Sequence, residues 1–467
     1  HQAVDRNMGI GANAPGFSKG PSELGLAATR NPGLVKQFAN LAREEWLVTG
    51  IRKGYQYMAD IATEPRWARI EGTFGEDPEL AAEMIRAVTL GFQGEALGAE
   101  SVALTTKHFP GGGPQVDGHD PHFSWGSDQA YPGSQFEKHL IPFKAAIAAG
   151  TSAIMPYYAV PKGEEFEPKA FAYNKAIISD LLRGEMGFEG VVNSDTGVVL
   201  MTPWGTEELN VSERYAAAVN AGVDLFAGNG DAKYLLEAVN NGIISEQRID
   251  ESVRRLLTEI YSLGLFENPY ADPDAASEIS KYDKADRVGK ELMLHSITLL
   301  RNNDHLLPIK NGQKIYVENL EQPDTGQQFV DNPHDADLII YHVAPEGKGL
   351  FGSANEAIKL ALSEHNVDVE RINALGKIAP LVLSLNLNRP WIIEEVEASA
   401  TSIIVGFGGD EALWDVLTGK FNPVGKLPIT IPQSESAVID NVIDVPGYAE
   451  SGGYALFKFG AGLSYSQ

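Results

Sequence analysis

Polar side chains that could do chemistry follow short apolar runs in the first half of the chain. Because the loops after parallel strands carry the active sites of α/β proteins, residues after such runs are candidates for one shared site. The candidates are Arg66 and Arg69 after "YQYMADIAT", Lys107, His108, Asp117 and His119 after "SVALTT", Tyr157 and Tyr158 after "SAIM", and Asp195 after "GVVN". Together they would bring carboxylates, cations and imidazoles into one polar pocket.

Most of these residues also have a purely structural interpretation. An Asp after a buried strand commonly closes a turn by bonding to its own backbone, and this is the simplest explanation of Asp195 by itself. Arg69 could pair with Glu71 or Glu76, because Arg–carboxylate pairs are common in scaffolds. The two tyrosines are typical of core or rim positions.

The adjacent pair Lys107 and His108 is harder to explain by structure alone. Adjacent side chains rarely enter one pocket unless the backbone is distorted. The pair therefore predicts an unusual backbone over residues 107–109, for which a cis non-proline bond is one form. The glycines at 111–113 lack the helix start of a phosphate loop and indicate a tight turn.

Composition limits the class of function. The 467 residues suggest two large domains or more. A formal net charge of −26 repels phosphate backbones and anionic membranes, so we expect neither nucleic acid nor a membrane as partner. The absence of cysteine excludes disulfides, thiolate metal sites and a Cys nucleophile. Asp117, His119 and His122 lack the helical spacing typical of a metal site.

Strand-like and helical patterns alternate from about residue 30, which indicates a parallel sheet with helices outside it. Asn31 and Pro32 are typical of the N-cap and first residue of a helix. The predicted strands are "YQYMADIAT", "SVALTT", "SAIM", "GVVN" and "VDLF". These are about five strands, whereas a closed (β/α)8 barrel needs eight. Because the sequence begins without Met, we expect a further N-terminal segment.

A stretch rich in Pro, Asp and Ser at 267–287 indicates a linker. It separates a first domain at 1–266 from a second domain at 288–467. Five strand-like runs follow it, namely "HSITLLRN", "KIYVEN", "DADLIIYHVA", "PLVLSLNLNRP" and "TSIIVGFG", with helices near 354–365, 390–399 and 410–418. This pattern predicts a layered α/β sandwich.

Several motifs, in order, resemble glycoside hydrolase family 3. They are "PRWARIEGTFGEDPE", "KHFPGGG", "IMPYY" and "GVVNSD" in the first domain, and "FNPVGKLPITIP" and "FKFGAGLSY" in the second. The resemblance covers nearly the whole chain. It implies a TIM-like (β/α)8 barrel, here without its N-terminal part, followed by an α/β sandwich, with a site at their junction. It also implies retaining hydrolysis of terminal β-linked sugars, most often β-glucosides.

The resemblance gives each matching residue a role. Asp195 becomes the nucleophile that forms a covalent glycosyl-enzyme intermediate, which explains its place at a strand end. Arg69, Lys107 and His108 match donors to sugar hydroxyls, and the two cations would also hold Asp195 ionised. The residues that match the lining of the first sugar subsite are Met155 and Tyr158.

Three further assignments concern positions where members of the family differ. Thr196 stands where many members have a Trp directly after the nucleophile. Asp5 is the candidate for an early sugar-binding Asp. The general acid is usually a Glu from a variable second-domain loop, and Glu346 in "YHVAPEGKG" is the candidate. One branch of the family instead uses an Asp–His pair, which would fall on Asp117 and His119.

Three functions compete. The first is a retaining β-glucosidase that removes terminal non-reducing β-D-glucosyl residues from β-glucosides or cello-oligosaccharides. The second is a β-N-acetylglucosaminidase that uses Asp117 and His119, although that branch often lacks the second domain. The third is a non-catalytic sugar-binding protein on the same fold, which the intact Asp195 argues against. Two carboxylates and a water suffice for glycoside hydrolysis, so we expect no cofactor and no metal. We expect a monomer or homodimer, secreted or periplasmic.

Overall fold

The computed structural model describes residues 17–163, 166–278, 283–324, 326–345, 357–450 and 452–465. Within these residues the chain forms two α/β units, each built on its own sheet. Two of the predicted site residues, Asp5 and Glu346, lie outside the described residues.

The first unit is built on a short parallel sheet. Its strands are β1 (Lys53–Gly54), β2 (Ala103–Phe109), β3 (Asp128–Ala130), β4 (Ala153–Pro156), β5 (Val160–Lys162) and β6 (Val191–Val192). The main sheet has the order β1-β2-β4-β6 with all neighbours parallel, and β3 pairs with β5 separately. A bridge from Asn193 to Leu225 adds the predicted strand "VDLF" beside β6. The predicted strand at 55–63 pairs with β2 mainly through a bridge from Met58.

Helices surround this sheet as the alternation predicted. They are α1 (Glu23–Ala28), α2 (Pro32–Val48), α3 (Pro78–Gln93), α4 (Phe136–Ala148), a π-helical segment (Ala176–Glu185), α5 (Val211–Ala221), α6 (Lys233–Asn240) and α7 (Glu246–Ser262). The N-cap of α2 is Asn31, as predicted, and its side chain accepts a hydrogen bond from the Leu34 N–H. None of the helices in the described ranges has the length and apolar character needed to cross a lipid bilayer.

The second unit is built on a six-stranded sheet. Its strands are β7 (Thr298–Asn302), β8 (Lys314–Glu318), β9 (Gln328–Phe329), β10 (Leu338–Val343), β11 (Leu381–Asn386) and β12 (Ser402–Gly406), and β13 (Ile431–Pro432) pairs with β14 (Ala455–Phe457) outside it. The order is β7-β12-β11-β10-β8-β9, and β7 alone of these runs antiparallel to its neighbour. The apolar runs of β10 and β11 are buried along nearly their whole length. Such runs are typical of parallel strands that are covered on both faces, which agrees with the predicted α/β sandwich.

The helices of the second half differ in part from the prediction. They are α8 (Pro273–Glu278), α9 (Asp283–Ser296), α10 (Val369–Leu375), α11 (Glu394–Glu397), α12 (Asp410–Leu417) and α13 (Glu435–Ile439). The predicted linker at 267–287 therefore holds α8 and the start of α9, which buries Ala285, Val288 and Leu292 at helical spacing. The helix predicted near 354–365 is, within the described residues, a 3₁₀ turn at 362–364. The domain boundaries themselves stay a prediction.

Two buried carboxylates join the units. Glu76, just before α3, accepts hydrogen bonds from the Thr430 N–H (3.0 Å), the Thr430 hydroxyl (2.6 Å) and the Gly447 N–H (2.8 Å). In the opposite direction, Asp444 of the second unit accepts hydrogen bonds from two backbone N–H groups just before α4, at 2.7 and 2.8 Å. These contacts fix the second unit against the loops that precede α3 and α4.

Replacement of Glu76 by Ala should weaken this contact in a pH-dependent way. Burial raises the pKa of Glu76 to about 7, from an ordinary value of 4.5. Folding therefore takes up a proton, and the stability that this carboxyl contributes is largest at low pH and falls as pH rises through about 7. We expect Glu76→Ala to lower the free energy of unfolding by about 3 kcal/mol at pH 5 and by less at pH 8, measured by urea denaturation.

Glu79 provides the matched control, because it is an exposed glutamate in the first turn of α3. Glu79→Ala should change the free energy of unfolding by less than about 0.5 kcal/mol at either pH. Equal losses in the two variants, or no pH dependence in Glu76→Ala, would contradict the role given to Glu76.

Candidate functional site

Several of the predicted residues of the first unit lie at the carboxyl ends of its main sheet. The sequence predicted Lys107 and His108 in the loop after a strand. In the structure they lie within the last residues of β2. The register places Lys107 opposite Met155 of β4. Because the strands are parallel, the loops that follow β1 and β6 reach the same edge of the sheet, and Asp195 stands three residues after β6.

The backbone of the Lys107–His108 pair has the predicted unusual form. The Lys107–His108 peptide bond is cis, and so is the Phe109–Pro110 bond. The register of β2 against β4 shifts between Lys107 and Phe109. Both side chains of the pair are buried, with Lys107 7% and His108 0% exposed.

Asp60 contacts His108 through both the imidazole ring and the backbone. It lies in the predicted strand at 55–63 and was not identified as a site residue from the sequence. His108 Nδ1 lies 2.9 Å from Asp60 Oδ2, and the His108 N–H donates to the same carboxylate at 3.2 Å. The Gly112 N–H also donates to it. A Cβ at Gly112 would lie 3.1 Å from the Asp60 carboxylate, so the predicted glycine turn allows this close approach. Burial raises the pKa of Asp60 to about 6 against the opposing effect of these hydrogen bonds.

Asp195 lies beside the other nitrogen of the His108 ring. Its Oδ1 accepts a hydrogen bond from the Thr196 N–H at 2.7 Å, which is the turn contact expected of an Asp at this position. Its Oδ2 lies 3.9 Å from His108 Nε2, and neither atom has a hydrogen-bond partner among the described residues. One oxygen of Asp195 therefore closes a turn while the other remains available to a ligand.

Tyr158 supports the same loop. Its hydroxyl donates its one hydrogen to the Thr196 carbonyl, directly after Asp195 in the loop, at 2.5 Å. Burial, and then the charge of Asp195, hold the pKa of Tyr158 well above its usual value. Its ring also lies edge-on to the His122 ring, with centroids 4.6 Å apart.

Two cations complete the group around His108. Arg69 is 2% exposed, and its alternative partner Glu76 instead faces the second unit. The Lys107 ammonium lies 5.3 Å from the centre of the Tyr55 ring. Burial, and then the charges of Arg69 and Lys107, hold the pKa of His108 well below its usual value. The His108 imidazole is therefore neutral at ordinary pH.

A second buried carboxylate, Asp120, organises the loop after β2. It accepts hydrogen bonds from Trp67 Nε1 and from the Tyr157 hydroxyl, both at 2.9 Å, and lies 2.5 Å from His122 Nδ1. Burial opposes ionisation of Asp120, but the adjacent His122 outweighs it and holds the pKa of Asp120 well below its usual range. The Asp-x-His spacing at 120–122 was a signal for this pair, whereas its distant donors could not be read from the sequence.

Tyr55 stands beside Thr196, the residue directly after Asp195. Its hydroxyl lies 3.5 Å from Thr196 Oγ1 and 3.3 Å from the Ser194 carbonyl. The side chain is 41% exposed, and Met201, which follows in the same loop as Thr196, is 65% exposed. An open apolar rim therefore lies next to Asp195, formed in part by a residue from the β1 side of the sheet.

The alternative acid–base pair, Asp117 and His119, does not join this group. Asp117 is exposed, and its charge acts on the Arg66 guanidinium, which is bonded mainly to Glu64. His119 is half-buried. Neither makes a hydrogen bond or an ion pair with Asp195 within the described ranges.

The second unit contacts the loop that carries Arg66. β10 leads to Ala344 and Pro345, and the described chain resumes at Ala357. The Ile358 N–H donates to the Arg66 carbonyl at 3.1 Å. Ile358, which follows Glu346 in the sequence, thus contacts a loop of the first unit, whereas Glu346 itself lies outside the described residues.

The arrangement can bind and attack a hydroxyl-rich ligand. It combines two buried cations, one neutral imidazole and one carboxylate with an uncommitted oxygen. Over the ranges that the structure covers, no three His, Asp or Glu side chains are grouped as metal ligands.

Family models and known proteins match this chain along most of its length. The family model for the glycosyl hydrolase family 3 N terminal domain matches residues 2–259, and that for the C-terminal domain matches residues 318–465. The chain is 41% identical to beta-glucosidase C of Emericella nidulans, over 98% of this chain and 77% of that protein. It is 33% identical to a periplasmic beta-glucosidase/beta-xylosidase of Dickeya chrysanthemi, over 98% of this chain and 75% of that protein.

Solved structures share the fold. A beta-glucosidase from Listeria innocua, solved in complex with isofagomine, superposes with a TM-score of 0.80 at 23% identity, over 97% of this chain and 72% of that one. An exo-1,3/1,4-beta-glucanase from a Pseudoalteromonas species gives a TM-score of 0.82 at 22% identity, over 98% of this chain and 80% of that one. With both family models matched and relatives above 30% identity across nearly its whole length, the chain belongs to glycoside hydrolase family 3.

Proposed function

We propose that this glycoside hydrolase is a retaining, exo-acting β-glucosidase whose nucleophile is Asp195. The observation that carries the proposal is the uncommitted Oδ2 of Asp195, buried 3.9 Å from His108 Nε2 at the edge of the sheet that also holds Lys107 and Arg69. Relatives that bear the name beta-glucosidase, at 41% identity, support the glucosyl specificity.

In the first step, Asp195 Oδ2 attacks the anomeric carbon of the terminal sugar. The bond from that carbon to the leaving oxygen breaks, and a covalent glycosyl ester forms on Asp195. A carboxylate at the end of a paired strand suits this step, because its other oxygen is fixed by the Thr196 N–H and the attacking oxygen has a defined position.

The leaving oxygen takes a proton from a general acid, for which Glu346 is the proposed residue. In the second step the deprotonated acid removes a proton from water, and the water oxygen attacks the same carbon. Asp195 leaves, and the released sugar keeps its β configuration. The chain on both sides of Glu346 connects β10 to the loop that carries Arg66, which supports delivery of an acid to this edge.

The β-N-acetylglucosaminidase alternative receives less support. Its acid–base pair would be Asp117 and His119. Asp117 is exposed and interacts electrostatically with Arg66. Release of nitrophenol from the aryl β-glucoside and from the aryl N-acetylglucosaminide separates the two functions. Faster cleavage of the N-acetylglucosaminide would overturn the glucosidase proposal, and cleavage of neither would favour a non-catalytic protein.

Asp195→Ala should abolish turnover and leave the fold intact. The carboxylate is needed to form the intermediate and contributes little to packing. Added azide should restore partial cleavage of an activated aryl glucoside and give the inverted α-glucosyl azide, detected by NMR. Unchanged activity in the variant, or a β-glucosyl azide product, would end the assignment of Asp195 as nucleophile.

A variant of the acid should show a dependence on the leaving group. Protonation matters for a poor leaving group and hardly at all for dinitrophenolate. Glu346→Ala should therefore lose cellobiose hydrolysis by about 10²–10⁴-fold and still form the glycosyl-enzyme quickly from the dinitrophenyl glucoside. His119→Ala should behave like wild type on both substrates. The reverse pattern would place the acid on the loop after β2.

Tyr158→Phe should slow the chemical step. The variant loses a hydroxyl that donates to the carbonyl of the residue after Asp195 and on which the charge of Asp195 acts, and a neutral hydrogen bond contributes about 0.5–1.5 kcal/mol, so kcat/KM should fall about 2- to 13-fold. The matched control is Tyr173→Phe, because the Tyr173 hydroxyl donates to the Val198 carbonyl, three residues after Asp195 in the same loop, at 2.9 Å. A similar loss in both variants would show that Tyr158 acts only by supporting the loop.

A further inference from the structure

Asp60 is bonded in a way that restricts the protonation of its neighbour His108. The carboxylate is completely buried and accepts hydrogen bonds from two backbone N–H groups, those of His108 and Gly112. Its Oδ2 also lies 2.9 Å from His108 Nδ1. An ionised carboxylate can only accept, so the hydrogen in this contact belongs to Nδ1.

The opposite nitrogen of the ring must then be bare in the neutral imidazole. Neutral histidine carries one N–H, and the bond that one nitrogen makes decides the state of the other. His108 Nε2 lies 3.9 Å from Asp195 Oδ2, which is too long for a hydrogen bond. Two groups that can only accept would keep such a separation, whereas an Nε2–H would be drawn to the carboxylate.

We infer that Asp60 is a positioning residue that fixes the Nδ1–H tautomer of His108, so that His108 Nε2 accepts a hydrogen bond from a substrate hydroxyl. This reverses the donor role that the family resemblance gave to His108. The inference rests on the proposed function only for the identity of the substrate.

The two cations show why one acceptor matters at this edge. Lys107 and Arg69 can only donate hydrogen bonds, so they can bind any electronegative group on the ligand. His108 Nε2 binds only a group that carries a hydrogen. A hydroxyl can accept from a cation and donate to His108 together, whereas fluorine can only accept. The site thereby recognises a hydroxyl and not merely an oxygen-sized group.

The tautomer can be measured directly in wild-type protein labelled with ¹⁵N-histidine. Without any substrate, His108 should show a pyrrole-type Nδ1 and a pyridine-type Nε2, assigned by the signals that disappear in His108→Gln. A pyrrole-type Nε2 or a doubly protonated ring at pH 7 would overturn the inference. Because this measurement needs neither turnover nor a variant of Asp60, it stands apart from the proposed glucosidase function.

Asp60→Asn should exchange the tautomer. The backbone N–H of Gly112 is a fixed donor, so the amide oxygen must face it, and the amide NH₂ then faces His108 Nδ1. His108 should carry its hydrogen on Nε2 in this variant. The matched control is Asp444→Asn, which alters another fully buried carboxylate that binds backbone N–H groups, and should leave the His108 signals as in wild type.

Substrate analogues then test the direction of the hydrogen bond between His108 and the substrate during catalysis. Aryl β-glucosides with fluorine or hydrogen in place of the 3-, 4- or 6-hydroxyl are compared by kcat/KM in wild type and in Asp60→Asn. At the position that faces His108, the fluoro-to-deoxy ratio should rise about threefold or more in the variant, because Nε2–H can donate to fluorine. The comparison between proteins cancels the inductive effect of fluorine, which is the same in both.

The outcomes distinguish the inference from the proposed function. A ratio unchanged at all three positions, with the tautomer exchanged, would show that no substrate hydroxyl donates to His108. Retention of the wild-type tautomer in Asp60→Asn would show that Asp60 does not control it. Failure of wild type to cleave the unsubstituted glucoside would overturn the proposed function and leave the tautomer result intact.

Discussion

The edge of the first sheet buries charged groups of both signs, and the fold must satisfy each of them because an unpaired buried charge is very costly. Asp60 is satisfied by backbone N–H groups and the His108 ring, and Asp120 by Trp67, Tyr157 and the adjacent His122. Asp195 is satisfied at one oxygen only. The same constraint that orders the loops thus leaves one carboxylate oxygen to be satisfied by a ligand.

The second unit depends on the same principle. Glu76 and Asp444 each cross from one unit to accept hydrogen bonds from the other, and both are buried where they do so. Neither contact touches the proposed nucleophile. They hold the second sheet so that the chain after β10 returns to the first unit at Ile358, beside Arg66. The contact between the units therefore depends on buried carboxylates in both of them.

Local patterns predicted the fold better than they predicted the site. The signals that begin α2 are local, and the structure confirms them, because Asn31 caps a helix whose first residue is Pro32. The adjacent pair Lys107 and His108 also carried its own signal, because its spacing required an unusual backbone, and the bond between them is cis. By contrast α9 was missed, since its polar residues outnumber the three buried apolar side chains Ala285, Val288 and Leu292.

Asp60 could not be found in this way, because a single Asp within a predicted strand gives no local sign of its partners. Its importance follows from contacts across 48 and 52 residues, which depend on the glycine turn after β2. The role of His108 changes once Asp60 is known. From the sequence alone, the His108 ring could donate or accept a hydrogen bond. The buried Asp60 carboxylate beside Nδ1 leaves Nε2 as a hydrogen-bond acceptor. Long-range pairing of this kind decides which hydroxyl geometry the site can recognise, whereas local patterns place Asp60 in one predicted strand and His108 just after another, without a sign that the two meet.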